Sequence, residues 1–90
     1  MRSLHCVVFG TVTDGFFPSW VHDQEVQLGL AGWVRRLAED KVEVLAQGAE
    51  DKARELALRL RQGTAVTRVD EVRTDWIEYE KAYQAFEIRA

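Results

Sequence analysis

The chain predicts an α+β sandwich of the ferredoxin-like kind: two helices on one face of a mostly antiparallel sheet, with a short extra strand at the C-terminus. Three observations carry that expectation. Apolar residues recur at every second position near the N-terminus and again in the middle of the chain. Two other stretches repeat them at helical spacing, and the segments follow in the order β-α-β-β-α-β.

Leu4 to Val12 reads as the first strand. Leu4, Cys6, Val8 and Val12 share one face by period two, and Gly10 within the run marks a bulge or a close backbone approach. Thr13-Asp14-Gly15 is a turn signal, because Asp and Gly tolerate tight-loop dihedrals. Pro18 suits the first turn of the helix that follows, where a missing N–H breaks no intrahelical bond. Phe17, Trp20, Val21, Gln24 and Leu28 lie on one side of that helix. Gly29 supplies a left-handed cap and Leu30 folds back on it.

Trp33–Leu37 and Val42–Gln47 are two β-prone runs joined by Ala-Glu-Asp-Lys, the pattern of a hairpin. Glu50–Gln62 is the second helix, with Ala53, Leu56, Ala57 and Leu60 as its apolar stripe. Acids stand at its start, Arg59 and Arg61 at its end, and Gly63 stops it. Thr64–Arg73 is the next expected strand, Thr74–Lys81 a polar connection and Ala85–Arg89 the closing strand.

Ninety residues fit one domain, spanning 1–90, with a single shared core. Twelve Lys/Arg against fifteen Asp/Glu give a net charge of −3, without the basic stripe of a nucleic-acid binder. Nucleic acid is therefore not an expected partner, also because the open sheet face shows no basic aromatic surface in the sequence. Cys6 is the only cysteine and reads as a buried thiol. His5 and His22 have no ligand spacing with it, so neither a metal nor a cofactor is expected. No run approaches the length of a membrane span, and a cytoplasmic setting is the default. Trp33, Val7 and Phe9 are expected to make the uncovered sheet face apolar, consistent with a monomer or a weak dimer.

The order Gly10-Thr11-Val12, Phe17, Leu28-Gly29-Leu30, Gly32-Trp33-Val34-Arg35, Val42-Glu43-Val44 and Gly48 resembles the acylphosphatase family. The family pattern is G-x-V-Q-G-V-x-F-R, then L-G-L-x-G-W-V-R-N, then V-E-V-x-x-x-G. Phe86-Glu87-Ile88-Arg89 is similar to its last strand, so the likeness spans essentially the whole chain.

The resemblance implies hydrolysis of a carboxyl-phosphate anhydride without metal or cofactor. Loop amides cradle the phosphate, an arginine at the loop's end grips it, and an asparagine after G-W-V-R positions water. In this chain the arginine position is Pro18 and the asparagine position is Arg36. Thr13, Asp14 and Gly15 stand where the family has Q-G-V, which brings a carboxylate to the cradle.

Intact catalytic residues are therefore absent. Thr13, Asp14, Gly15, Phe16, Phe17 and Arg36 remain as candidates for anion binding, with a small anion or acyl phosphate as ligand. Arg36 is read first as a strand arginine paired with Asp14 or another acid. An exposed Phe16 would favour an apolar ligand or a protein partner. Two function classes follow from the resemblance. The first is a catalytically silent or strongly impaired binding module. The second is an active acylphosphatase in which Arg36 takes over the phosphate contact.

Overall fold

The computed structural model describes residues 1–12 and 16–89. Its elements are β1 (Arg2–Thr11), α1 (Phe16–Gln27), β2 (Ala31–Ala38), β3 (Lys41–Gln47), α2 (Glu50–Gln62), β4 (Arg68–Glu78) and β5 (Phe86–Arg89). The five strands form one sheet in the order β4-β1-β3-β2-β5. Only the β2–β5 pair is parallel. The expected α+β sandwich with a short extra strand is therefore what the chain forms.

The core lies between the sheet and the two helices. Leu4, Cys6, Val8 and Val12 of the first segment meet Val34, Val42, Val44 and Ala46 of the hairpin strands. Phe17 and Val21 of α1 and Leu28 just after it cover them, together with Ala53, Leu56, Ala57 and Leu60 of α2. Burying each large side chain contributes on the order of 1.5–3 kcal/mol. Burial of Cys6 also pushes its thiol pKa up to about 12, so it sits as an inert apolar group.

Helix α1 ends as its sequence demands. Leu30 N–H donates to Glu25 C=O (2.9 Å) and Gly29 N–H to Val26 C=O (3.1 Å), with Gly29 at φ 68°. This pair of bonds is a Schellman cap, and it turns the chain directly into β2.

Two boundaries differ from expectation. The Ala38–Lys41 loop tightens to a turn at Glu39–Asp40, with Ala38 opposite Lys41. The fourth strand begins at Arg68 and runs to Glu78, so Thr74–Glu78 is strand and not a polar connection. Residues 64–67 instead form a turn, in which Thr67 N–H donates to Thr64 C=O (3.2 Å). Strand β4 lies at the sheet edge and pairs only with β1, so its outward charges are solvated and disguise its strand pattern.

The open sheet face is not an apolar surface, contrary to expectation. Trp33 is only 3% exposed, because the guanidinium groups of Arg35 and Arg89 lie 5.1 Å from its ring and Tyr79 meets its edge. Arg73 and Lys41 likewise cover Phe9. Basic and aromatic side chains therefore do interleave on this face, a feature the sequence alone conceals. The three guanidinium charges are balanced, however, by Arg35–Glu43, Arg73–Glu71 and Arg89–Glu87 ion pairs. Burial pushes the Glu43 carboxyl up, but hydrogen bonds from His5 and Arg35 outweigh it and hold the group below its usual range.

Glu25 is the unexpected core residue. It is fully buried on the inner face of α1, and neither carboxylate oxygen has a hydrogen-bond partner among the described residues. Desolvation raises its pKa to about 9, so at neutral pH the folded chain holds it protonated. The unfolded chain releases that proton above about 4.3. Glu25 therefore favours folding fully only below the unfolded value, and its contribution is lost as pH rises through the folded one. Denaturant unfolding should show stability falling by roughly 4 kcal/mol between pH 5 and pH 8 through this group. Glu25→Gln should flatten that slope and raise stability at pH 8; an unchanged slope would contradict the assignment.

Candidate anion-binding site

The site edge is defined by strand direction. Strands β1 and β2 both run antiparallel to β3, so their C-terminal ends lie at the same edge of the sheet. Helix α1 begins at that edge, α2 ends there and β4 starts there. Gly10 ties three of these parts together. Its N–H donates to Asp40 C=O (3.0 Å) in the β2–β3 turn, and the pairing with β4 shifts between Phe9 and Gly10. A Cβ on Gly10 would stand 2.1 Å from Arg68 C=O, at a φ of 143°. No side chain fits there.

Arg36 occupies the last paired position of β2 before the register shift, opposite Val42. Val34, two residues earlier, is fully buried under the helices, so Arg36 lies on that same face. The side chain is exposed and has no hydrogen bond or ion pair among the described residues. The expected acidic partner is therefore not found among them. Asp14, with Thr13 and Gly15, lies outside the described residues.

The start of α1 separates its candidates by depth. Phe17 is fully buried and stacks on Trp20 with ring centroids 5.6 Å apart, so its part is structural. Pro18 is half-buried in the first turn, contributing neither a cation nor an N–H. Phe16 is 74% exposed. Beside it runs a cavity of about 300 Å³ lined by Phe16, Ser19, Trp20, Asp23, Thr64 and Val66. The sequence reading missed Thr64 and Val66 here, because it placed them in a strand; Gly63 followed by hydroxyl residues at 64 and 67 was the available turn signal.

Two other arginines at this edge are engaged. Arg59 donates to Gln24, Gln27 and Glu55, which clamps α2 against α1, and Arg68 pairs with Asp70. Among the described residues no group of three or more His, Cys, Asp or Glu gathers as a metal site. His22 instead meets Phe86 edge-on, with centroids 5.9 Å apart.

The acylphosphatase family model matches residues 4–88. The chain belongs to the acylphosphatase family. It is 39% identical over 71 residues to an acylphosphatase of Rhizorhabdus wittichii, covering 79% of this chain and 70% of that one. It is 40% identical over 82 residues to an acylphosphatase of Koribacter versatilis, covering 91% and 74%. Among solved structures, the acylphosphatase of Coxiella burnetii superposes with a TM-score of 0.90 at 32% identity, over 98% of this chain and 92% of that one. No helix among the described residues is long and apolar enough to cross a membrane.

Because the edge depends on Gly10, its replacement is diagnostic for this acylphosphatase-family chain. Gly10→Ala should destabilise by at least about 2 kcal/mol, since a backbone oxygen must move to admit the methyl group. Gly29→Ala, which adds a Cβ into open space at a left-handed φ, should cost only about 1 kcal/mol. Urea midpoints of the two variants check the ranking.

Proposed function

We propose that this acylphosphatase-family protein hydrolyses a small acyl phosphate with Arg36 as its phosphate contact. The placement of Arg36 carries the reading: an exposed guanidinium without a counter-ion among the described residues, at the edge where β1 ends and α1 begins. The names of relatives at 39% and 40% identity support a hydrolase over a silent module. A guanidinium presents a planar fork of donors that matches two phosphate oxygens.

The reaction asks little of the protein. Water oxygen bonds to phosphorus, the bond from phosphorus to the acyl oxygen breaks, and a carboxylate departs. That leaving group is a weak base and needs no proton. Arg36 is donor-only, so the proton of the attacking water passes to a phosphate oxygen or to solvent. What Arg36 supplies is charge stabilisation, the term for which an arginine at a phosphoryl centre is worth about 10³–10⁵ in rate.

One observation favours a second reading, an anion-binding module without turnover. Pro18 supplies no cation where the family places arginine, and Arg36 offers no amide to orient water. Acetyl phosphate hydrolysis separates the two. The proposal expects turnover above the spontaneous rate, lowered at least about tenfold in Arg36→Ala. A wild-type rate equal to the spontaneous one would leave the binding module. In that case Pro18→Arg combined with Arg36→Asn should create hydrolysis, because only the reactive side chains are missing.

A further inference from the structure

The cavity at the start of α1 has a composition that the phosphate chemistry does not use. Four of its lining residues, Phe16, Ser19, Trp20 and Asp23, form one stripe of α1 at helical spacing. The opposite wall is Thr64 and Val66 from the turn that follows α2. Phe16 and Val66 present 74% and 71% of their surface to solvent, unusual for large apolar side chains.

Both walls are built. Thr64 Oγ1 meets Thr67 Oγ1 at 2.5 Å and accepts Val66 N–H at 3.3 Å, which fixes the direction of Val66. Trp20 is held by its stack on buried Phe17. The space of about 300 Å³ is at the lower bound of small-ligand sites, enough for a ring or a short branched chain.

Charge decides which end of a ligand enters. Among the described residues lining the cavity, Asp23 is the one that carries a charge, a carboxylate exposed to solvent. A phosphate dianion is repelled there, whereas Arg36 at the same edge of the fold attracts it. We propose that this groove receives the apolar acyl group of the substrate, making the chain selective for aromatic or branched acyl phosphates over acetyl phosphate. The assignment rests on the phosphate reading above and adds specificity to it, with Phe16 and Val66 as the discriminating residues.

Phenylphosphonate and methylphosphonate test it without requiring turnover. Each is titrated into the whole protein while the Val66 methyl and Trp20 indole signals are followed. Phenylphosphonate should bind about tenfold tighter than methylphosphonate, the usual scale for a partly buried apolar group. Phe16→Ser and Val66→Ser should each pull that ratio toward one. Equal affinity for the two ligands, or a ratio that both variants leave intact, overturns the groove while preserving the phosphate site. Binding of neither phosphonate removes the phosphate reading and the groove together.

Discussion

The contact between Gly10 and Arg68 C=O is the constraint on which the site edge depends. Only a residue without a Cβ lets β1 approach β4 this closely, and the same residue donates to Asp40 in the neighbouring hairpin turn. One backbone position thereby holds the end of β1, the start of β4 and the β2–β3 turn in register. Strand pairing then places the end of β2, with Arg36, and the start of α1 at this same edge. Side chains at the edge are free to change; the backbone beneath them is not.

This separation leaves the scaffold independent of which side chains stand at the edge. The fold rests on Phe17, the Val and Leu core, the Gly29 cap and the close approach at Gly10, none of which requires Arg or Asn at the site. Pro18 is compatible with the first turn of α1, so its presence carries no backbone cost there. In this chain Pro18 stands in the first turn of α1, and a cation, Arg36, stands near the end of β2.

Most of this architecture was legible in the chain because local rules agree with the global fold. Alternation placed β1, β2 and β3, and the Glu50–Gln62 stripe marked α2 to its last residue. The readings that failed depend on partners distant in sequence. Trp33 looked like a contributor to an apolar face, but its cover comes from Tyr79 and Arg89, far along the chain. Strand β4 hid behind the charges Asp70, Glu71, Arg73 and Asp75, which an edge strand tolerates. Glu25 passed as a polar helix residue, since no sequence rule marks a carboxyl that the fold encloses without a partner. At the site, Arg36 was identified by its position in the motif, whereas the Val66 wall required the turn at 64–67 to be seen.

The central claim is that phosphate docks against Arg36. An NMR titration with inorganic phosphate, following the Arg36 Nε–Hε signal and the amides of residues 13–17, addresses it most directly. The account predicts saturable shifts confined to Arg36 and those amides. An Arg36 signal that stays fixed at high phosphate, whatever the amides do, would contradict it.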